Sequence, residues 1–548
     1  MKELIKTLLA DITRKITSDF KDEISVEIPE NKEHGDYSVN VAFGLSKILK
    51  KSPFKIADNI AEELLKEKSN DFYKIEARNG FINFFLSPEC LRHQLQEILS
   101  KKNKYGESLV KGQISHVNIE FISANPTGPL TIGNGRGGFY GDVLANILET
   151  QGHKVTREFY INDRGGQILA LGQSIKLAQK GSPTSEDLEV GLPNKENLYH
   201  GDYINDLAKQ IDKNFSIEEA GQKAVELILK KYIKPAIKRL DITFDNWFSE
   251  KSLYASGSYE KVMGNLMQGD FLYEKDGATF MKTSGLGDSE DRVLIKSDGS
   301  ETYFLSDILY HYDKFITRKF EKVIDIWGAD HHGYAPRLKA AVAALGIPKE
   351  NLDIIITQLI RLISDGKEAK VSKRAGTFIT LEELVNEVGL DATRFFFLMY
   401  SNDTHMDFDM DLAKERSAKN PVYYVQYAYA RLCSILRKSQ ISNPKSETNL
   451  KSQLPNLKLL KTEAELNLIR KLIEFPEILV DISKNYEVHR LPRYALELSR
   501  EFHNFYEKER VITENKNLTS SRLALVMATK IVLANILNLM RIKAPDRM

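Results

Sequence analysis

The first 105 residues combine two spacings of apolar residues. In the segments ISVEIPE and NGFINFFL the apolar positions alternate or run together, as in short strands. In MKELIKTLLADITRKITSDF and VNVAFGLSKILKK they recur every three or four residues, which predicts amphipathic helices. Residues 1–105 are therefore predicted to form an α+β domain, and the polar stretch SKKNKYGES at its end is predicted to be a linker.

Strand and helix patterns alternate from residue 106 to residue 395. SHVNIEFIS, KVTREFYI, VIDIWGAD and LDIIITQLI predict strands, and GRGGFYGDVLANILETQG predicts a helix closed by a glycine. Such alternation is typical of a parallel sheet covered by helices. A segment of about residues 165–290, between the second and third of these strands, is predicted to be an insertion with its own helices.

Local signals refine the second half of the chain. RVLIKSDGSETYFLSD predicts a hairpin that turns at Asp298 and Gly299, because Asp-Gly tolerates the positive φ of a tight turn. TLEELVNEVG predicts a helix capped reciprocally by Thr380 and Glu383. From residue 396 no convincing strand pattern remains, so residues 396–548 are predicted to be an all-α helical bundle.

Composition excludes several classes of protein. Hydrophobic residues make up 42% and charged residues 28% of the 548 positions, as in ordinary globular proteins. Two cysteines, Cys90 and Cys433, are too few for a disulfide framework or an all-cysteine zinc site, so we expect no zinc and a reducing cytoplasm. The N-terminus lacks the apolar core of a secretory signal, and no apolar run reaches about 18 residues, so no membrane association is expected.

Charge is distributed unevenly along the chain. From Asp411 to Met548 there are 24 Lys and Arg against 15 Asp and Glu, a net of +9. Since the whole chain carries +1, the rest carries −8. A basic last quarter indicates an anionic partner, although a solvated helical surface would show the same charge.

A glycine-rich segment follows the first predicted strand of the central region. Gly133, Gly135 and Gly138 fit G-x-G-x-x-G, and Glu158 follows twenty residues later, as in dinucleotide-binding proteins. That fingerprint has its first glycine directly after the strand, whereas about ten residues intervene here, including the stiff PTGP turn. A nicotinamide dehydrogenase is therefore the weaker interpretation, and a glycine-rich packing turn is a second alternative.

The segment resembles the first signature of class I aminoacyl-tRNA synthetases, which usually reads His-x-Gly-His at the start of a helix. Thr131-Ile132-Gly133-Asn134 stands in its place, without either histidine. A helix N-terminus offers free N–H groups and a positive dipole end to phosphates. The resemblance implies a Rossmann-like parallel-sheet catalytic domain over residues 106–395 with catalytic Thr131 and Asn134. It also implies ATP binding by Pro126, Thr127, Gly128, Gly133 and Gly135.

A second motif, which is basic, lies about 240 residues after the first. Lys370-Val371-Ser372-Lys373-Arg374 resembles the second class I signature, Lys-Met-Ser-Lys-Ser. Cations that meet the charge developing on the triphosphate are typically a large catalytic contribution. A segment of five residues rich in Lys and Arg is by itself usually a solvated loop. The distance between the two motifs and their α/β setting make the combination of both motifs specific. The resemblance implies catalytic roles for Lys370, Ser372 and Lys373, and ATP with substrate-bound Mg²⁺ as the nucleotide.

Further segments resemble arginyl-tRNA synthetases in particular. They are HGDY at 34–37, EFISAN at 120–125, ANPTGPL at 124–130, YIND at 160–163, YFLSD at 303–307, WGADHHG at 327–333, YYVQYAYAR at 423–431 and the final APDRM. Each is moderately specific, but jointly they cover nearly the whole chain. The resemblance implies ligation of L-arginine to its tRNA through an arginyl-adenylate, with release of AMP and pyrophosphate.

The residue types fit arginine as the substrate. A guanidinium is planar, always charged and presents forked donors that suit carboxylates such as Glu120 and Asp307. Tyr303, one helical turn before Asp307, is placed to lay its ring on the guanidinium. Three alternatives stay open: Asp307 as a helix cap, Glu120 as a strand-end salt bridge and Tyr303 as a core residue.

Other ligands follow only from the resemblance. It implies that Ser123, Asn125 and His331 also bind arginine, the last two at its α-amino and carboxylate end. It implies that Gly328 and Asp330 lie near the ATP ribose. His331 and His332 are adjacent and point in different directions, so no metal site is expected there.

The two ends of the chain resemble tRNA-contacting modules. The N-terminal domain resembles the family's module for the outer corner of tRNA, and the basic bundle resembles its anticodon-binding domain. Tyr423, Tyr427, Arg431 and Met548 are the implied tRNA contacts, since aromatic rings can stack on unpaired bases. For the tyrosines a core position is an equal alternative. A monomer is expected, and a non-catalytic tRNA-binding relative is the main functional alternative.

Overall fold

The computed structural model describes residues 1–66, 69–108, 115–180, 198–255, 257–368, 380–439 and 455–548. These residues form an N-terminal α+β part, a central part built on a parallel sheet, and a helical C-terminal part. The predicted fold class is therefore confirmed.

The N-terminal part is a four-stranded antiparallel sheet with helices. Its elements are α1 (Lys2–Ile16), β1 (Val26–Glu27), β2 (Tyr37–Val39), α2 (Val41–Leu49), α3 (Pro53–Lys66), β3 (Phe72–Arg78), β4 (Phe81–Leu86) and α4 (Pro88–Lys101). The strand order is β1-β2-β4-β3, and β3 turns into β4 through Asn79 and Gly80, both at positive φ. The predicted linker SKKNKYGES begins inside α4 and continues as a 3₁₀ turn, Lys102–Lys104, so its first half is helical.

The central part contains the largest number of elements. In chain order they are β5 (His116–Glu120), α5 (Ile132–Thr150), β6 (Lys154–Ile161), α6 (Gly166–Lys180), α7 (Asp202–Ala208), α8 (Ile217–Ile228), α9 (Lys234–Arg239), β7 (Asn246–Ser249), α10 (Glu250–Ala255), α11 (Ser258–Gln268), β8 (Leu272–Lys275), β9 (Ala278–Met281), β10 (Arg292–Ile295), α12 (Tyr303–Tyr312), β11 (Lys322–Gly328), α13 (Ala335–Ala344), β12 (Leu352–Thr357), β13 (Ile360–Ser364), β14 (Lys367–Glu368), α14 (Leu381–Val388), α15 (Leu390–Leu398), β15 (Met406–Asp409) and α16 (Met410–Lys414).

Five parallel strands form the central sheet in the order β12-β11-β5-β6-β7. The strands are apolar because helices cover both faces; Val323 and Ile324 of β11, which point to opposite faces, are both buried. The prediction that residues of about 165–290 are only an insertion is corrected by β7, which lies in this range and forms an edge strand of the central sheet. The same range forms α6 to α11 and the strands β8 and β9, which pair with β10 in an antiparallel sheet.

A second small sheet follows the central one. β13 pairs with β14 in antiparallel fashion and with β15 in parallel fashion. The expectation that no strand occurs after residue 396 is corrected by β15, whose four residues are too few for a visible period-two pattern. The predicted turn is present, with Gly299 at a φ of 82°, but the second arm of the predicted hairpin is only a bridge from Glu301 to Ile295, because Tyr303 already begins α12. The capping box of Thr380 and Glu383 is present as predicted.

The C-terminal part is a helical bundle. Its helices are α17 (Pro421–Lys438), α18 (Glu463–Ile473), α19 (Phe475–Asn485), α20 (Arg490–Lys508) and α21 (Lys516–Leu539). By length and composition α21 is apolar enough to cross a membrane, which departs from the expectation drawn from apolar runs. Within the bundle 61% of the most apolar 18-residue stretch of α21 is buried. Its Arg522 pairs with Glu465 of α18 at 2.7 Å, so α21 is a core helix of the bundle.

Helix α5 joins the central part to the bundle. Tyr140 donates to the carbonyl of Tyr486 at 2.7 Å, and Asn146 donates to that of Leu539 at 2.9 Å. Between them, the buried Asp142 accepts from the buried Arg394 of α15. The helix that begins at the glycine-rich motif is thus bonded directly to the C-terminal helices.

Candidate active site

The first strand of the central sheet ends in a strained turn. Glu120 is the last residue of β5, and Ile122 and Ser123 follow with φ of 66° and 36°. A β-branched residue at positive φ is rare and costs on the order of 1–3 kcal/mol, which proteins retain mostly at functional positions. Ser123 Oγ accepts from the backbone N–H of Tyr160 at 3.1 Å, so the turn is fastened to β6.

The segment after this turn crosses the carboxyl end of the sheet. Asn125 is exposed and Pro126 is buried. The carbonyl of Thr127 accepts from the Tyr203 hydroxyl at 2.9 Å, and a Cβ on Gly128 would lie 3.3 Å from that hydroxyl oxygen. Helix α7 therefore fixes one side of the Pro126–Gly128 turn.

Helix α5 begins with a reciprocal cap. Asn134 Oδ1 accepts from the Thr131 backbone N–H at 2.8 Å and from its hydroxyl at 3.0 Å. The Thr131 hydroxyl proton is thus engaged within the cap, whereas no hydrogen bond from Asn134 Nδ2 is seen among the described residues. Gly133 is exposed with open space beside it. A Cβ on Gly135 would meet Leu381 at 2.6 Å, so the side of Gly135 that lacks a side chain packs against α14 rather than facing a ligand.

The second motif lies outside the described residues. Lys370, Ser372 and Lys373 all fall in the range 369–379. The described chain resumes at Thr380, which bridges Thr131 at the start of α5. The segment after the second motif is therefore fastened beside the first motif.

Tyr303 and Asp307 both lie in helix α12. Thr302 is the N-cap, so Asp307 sits in the second turn, and the alternative that it caps a helix is wrong. The Tyr303 side chain is 58% exposed, which also rules out a core position. Asp307 is partly accessible, and its Oδ2 accepts from the Tyr334 hydroxyl. Burial raises the pKa of Asp307 to about 6, and the negative charge of Glu120 adds to the effect.

Glu120 lies beside two other carboxylates. Strand register places it opposite Asp325 of β11 on one side and Glu158 of β6 on the other. Its Oε2 accepts from Lys314 Nζ at 2.6 Å, so the alternative of a strand-end salt bridge is observed. Burial raises the pKa of Glu120 although Lys314 opposes the shift. Among the described residues Oε1 has no hydrogen-bond partner, so the salt bridge leaves one oxygen for a ligand.

Residues after β11 complete the same edge of the sheet. Gly328 caps a 3₁₀ turn, Ala329–Tyr334, and nothing lies near the position of its absent Cβ. Asp330 and His331 are exposed on this turn. Because parallel strands present their carboxyl ends together, these residues share an edge with Glu120, where ligands bind in open α/β sheets. The described residues contain no cluster of three or more His, Cys, Asp or Glu that could hold a metal ion.

A separate aromatic cleft lies in the bundle. It has a volume of about 350 Å³ and is lined by Tyr423, Tyr424, Tyr427, His503 and Glu507, with Ala418. His503 Nε2 is buried without a hydrogen-bond partner in the described structure, and its ring stacks on Tyr427 at 6.1 Å.

Arg431 stands beside this cleft. Its Nη2 donates to the Tyr427 hydroxyl at 2.9 Å. The structure thus brings Tyr423, Tyr427 and Arg431 together and adds His503. No contact given by the structure brings the exposed Met548 to them.

Comparison with known proteins gives this arrangement a family. The arginyl tRNA synthetase N terminal domain matches residues 1–86, the catalytic domain of tRNA synthetases class I (R) matches 94–417, and the DALR anticodon binding domain matches 425–548. The arginine–tRNA ligase of Aquifex aeolicus is 42% identical over the full length of both chains. The chain belongs to the arginyl-tRNA synthetase family.

Other members of the arginyl-tRNA synthetase family agree. Arginine–tRNA ligase 1 of Halalkalibacterium halodurans is 43% identical and covers 96% of this chain and 94% of its own. The Thermus thermophilus arginyl-tRNA synthetase superposes over 100% of both chains with a TM-score of 0.77 at 22% identity, which shows the shared fold. The class I catalytic match rules out the dinucleotide-binding interpretation of Gly133, Gly135 and Gly138. The structure agrees, since β5 ends at Glu120 and α5 begins only at Ile132.

Sequence reasoning missed one residue that holds the first motif in place. Arg136 is 2% exposed and donates to the carbonyls of Gln358 at 2.9 Å, Ser401 at 2.7 Å and Thr404 at 2.6 Å. It ties the start of α5 to the segments around β13 and β15. An arginine flanked by glycines within an apolar helix pattern was the available signal.

Proposed function

We propose that this chain ligates L-arginine to its tRNA, using ATP and an arginyl-adenylate intermediate and releasing AMP and pyrophosphate. The observation that carries the proposal is the pair of carboxylates at the carboxyl edge of the sheet. Glu120 and Asp307 each have one oxygen bonded to the protein and a second without a partner among the described residues. Family membership supplies the reaction, and this pair supplies the choice of a cationic amino acid.

In this proposal the arginine side chain lies between the two carboxylates. A guanidinium donates in two parallel directions, which suits two separate acceptors better than a compact ammonium does. The exposed ring of Tyr303 lies one helical turn before Asp307 and can stack on the guanidinium plane. Ser123, Asn125 and His331 are assigned to the substrate as well; the exposed Asn125 and His331 hold its α-amino and carboxylate end.

ATP, as its magnesium complex, is assigned to the start of α5 and the end of β11. Gly133 leaves the first helical turn open, so its N–H groups are accessible to phosphate oxygens. Asn134 Nδ2 is the remaining side-chain donor of the motif, since the Thr131 hydroxyl serves the cap. Gly328 and Asp330 are assigned to the ribose.

Remaining ATP contacts are assigned by motif alone. Pro126, Thr127 and Gly128 form the turn over the adenylate. Gly135 contributes by letting α14 approach. Lys370, Ser372 and Lys373, outside the described residues, are assigned to the triphosphate.

The bundle is assigned to the anticodon side of tRNA. A cleft of about 350 Å³ with tyrosine walls suits an unstacked base, and Arg431 next to Tyr427 adds a charge for the backbone. Met548, at the exposed chain end, and the N-terminal part are the other proposed contacts. Because one chain contains every assigned part, we also propose a monomer, and the two free, buried cysteines agree with a cytoplasmic setting.

The direct test is aminoacylation with purified chain, ATP, arginine and tRNA. We expect charging with arginine and ATP–pyrophosphate exchange that requires arginine and tRNA together. The physical reason is the pair of hydrogen bonds that join Tyr140 and Asn146 of α5 to the C-terminal part, because these bonds connect the bundle to the helix that begins at the first motif. Strong exchange without tRNA would contradict the coupling, and tRNA binding without any charging would favour the non-catalytic relative.

Salt should lower the affinity of the bundle for tRNA. The region from Asp411 to Met548 carries +9, and each phosphate neutralised by Lys or Arg releases counter-ions. We expect the Kd for tRNA, measured by filter binding, to rise by about 10-fold or more between 50 and 200 mM salt, since 6–10 such contacts give roughly 10³–10⁵. A Kd that stays flat would remove the electrostatic interpretation of the basic bundle.

A further inference from the structure

A buried ionic network lies beneath the two proposed arginine ligands. Lys314, which is wholly buried, donates to Glu120 Oε2 at 2.6 Å and to Asp325 Oδ1 at 2.8 Å. His311 Nε2 lies 2.8 Å from Asp325 Oδ2, and His311 Nδ1 lies 2.8 Å from the carbonyl oxygen of Asp307. Three further residues, Lys314, Asp325 and His311, thus connect Glu120 to Asp307.

The donors of Lys314 are fully used. An ammonium has three N–H groups, two of which meet the carboxylates, and the Tyr310 ring covers the third side at 4.0 Å. Lys314 comes from the π-helical turn Asp313–Thr317 that follows α12. It is therefore held in one position, between two strands whose acidic residues stand side by side in register.

The charges within this network are not balanced. Burial disfavours the charged form of Lys314, but Asp325 and Glu120 outweigh it and raise the pKa of its ammonium, so the proton stays on Lys314. Burial would raise the pKa of Asp325, yet Lys314 and His311 lower it to about 2. By contrast, the pKa values of Glu120 and Asp307 are both raised. Glu120 shares the single charge of Lys314 with Asp325, and Asp307 forms no salt bridge among the described residues, so a guanidinium between Glu120 and Asp307 supplies further positive charge.

We propose that Lys314 is a positioning residue that selects a cationic substrate by dividing its charge between Glu120 and Asp325. The ammonium holds Glu120 ionised and bonded through Oε2, and leaves Oε1 for the guanidinium. Because Asp325 takes the other half of the charge, Lys314 does not cancel the charge of Glu120, which still attracts the guanidinium. This inference rests on the proposed function, since it assigns a task only if arginine enters this site.

Glu158, whose charge acts on both Glu120 and Lys314, has a cation of its own. Glu158, on the far side of Glu120, accepts from Arg318 Nη2 at 2.9 Å and from the Tyr310 hydroxyl at 2.6 Å. Arg318 also pairs with Asp313 at 2.6 Å. Arg318 is thus a cation of the same chain segment whose partners, Glu158 and Asp313, are not proposed arginine ligands, and it provides a matched control.

The experiment compares Lys314→Met, Asp325→Asn, the double variant and Arg318→Met by steady-state kinetics. We expect Lys314→Met to raise KM for arginine and so to lower kcat/KM by about 10–10²-fold. Without the ammonium, Glu120 becomes protonated and no longer forms an ion pair with the guanidinium. Asp325→Asn should lower it by about 10-fold, because Lys314 then neutralises Glu120 alone. In the double variant both charges are gone, and kcat/KM should recover to within about 5-fold of the unchanged chain.

Two further readouts separate positioning from packing. The preference for arginine over its neutral isostere L-citrulline, measured as competing inhibition, should fall in Lys314→Met and return in the double variant. KM for ATP should stay within about 3-fold throughout, and Arg318→Met should keep the arginine KM even if it lowers Tm.

The proposal is overturned if the fold-loss of arginine kcat/KM in the double variant equals the product of the fold-losses in the two single variants. It is also overturned if the preference for arginine over L-citrulline does not change in Lys314→Met. Should Lys314→Met not fold, Asp325→Asn and the double variant decide: the first must lose arginine kcat/KM and the second must regain it. Failure of the proposed function is a different result, because the unchanged chain would then not charge tRNA with arginine at all.

Discussion

Asp307→Asn is expected to raise KM for arginine and to lower kcat/KM by at least about 10²-fold, because a charge-assisted hydrogen bond contributes roughly 1.5–3 kcal/mol or more. The substitution keeps the side-chain shape, removes the charge and turns one acceptor into a donor facing the guanidinium. Sites built on substrate hydrogen bonds reject analogues that lack them by about 10⁴–10⁵, which is also why lysine should be excluded without an editing domain. Aminoacylation kinetics with arginine and lysine measure both effects.

Thermal stability separates this role from a structural one. Burial raises the pKa of Asp307 to about 6, so above that pH the folded chain keeps a carboxylate that the unfolded chain ionises more easily. Ionised Asp307 therefore lowers stability at neutral pH, and Asp307→Asn should leave Tm unchanged or raise it. Asp298→Asn, in the exposed hairpin turn, is the control that should alter neither quantity. Early melting with an unchanged arginine KM would show that Asp307 is structural.

The same pKa predicts a pH profile. The arginine kcat/KM reports the free enzyme, so it should fall as pH drops through about 6, where Asp307 gains its proton. Asp307→Asn should lose this step, and any fall that remains at low pH belongs to Glu120 or to groups elsewhere. An identical profile in both proteins would contradict the assignment.

Sequence patterns predicted the elements whose periodicity is long and uninterrupted. The strand KVTREFYI was found with its observed bounds, Lys154–Ile161. The helix over the glycine-rich motif starts earlier than predicted, at Ile132, and ends at Thr150, just before the predicted closing glycine, Gly152. β7 and β15 were missed because four residues are too few to show a period. Their pairing partners, β6 and β13, are 88 and 46 positions away in register, so only the folded sheet defines them as strands.

Candidate site residues divide in the same way. Glu120, Tyr303 and Asp307 could be proposed from the sequence because motif and chemistry agreed on them. Lys314 and Asp325 were not, because their roles depend on strand register and on a π-helical turn that no local pattern announces. Within the sequence, Asp325 is merely a polar interruption of an apolar strand. A charged residue inside a predicted buried strand was the one available sign, since it requires a partner.

Lys373→Ala is expected to lower kcat by roughly 10²–10³-fold, the usual loss when one group that stabilises transition-state charge is removed. Lys373 lies outside the described residues, so the expectation follows from the motif and from the chemistry of the triphosphate. If the ammonium meets its charge only as the bond to pyrophosphate breaks, ground-state binding of arginine should change little. Single-turnover adenylate formation, with KM for arginine measured alongside, tests both parts.

Lys367→Ala provides the matched control for this variant. Lys367 is an exposed lysine of β14, three positions before the motif, and its loss should leave kcat within about 2-fold. Both variants remove one positive charge from nearly the same stretch of chain, so a general electrostatic effect on ATP or tRNA would lower both rates alike. A selective loss in Lys373→Ala identifies a catalytic cation, because only a group whose interaction strengthens on the way to the transition state lowers kcat without weakening substrate binding. Near-normal turnover in Lys373→Ala would instead mean that the second motif is structural in this chain, and that the start of α5 alone must stabilise the leaving pyrophosphate.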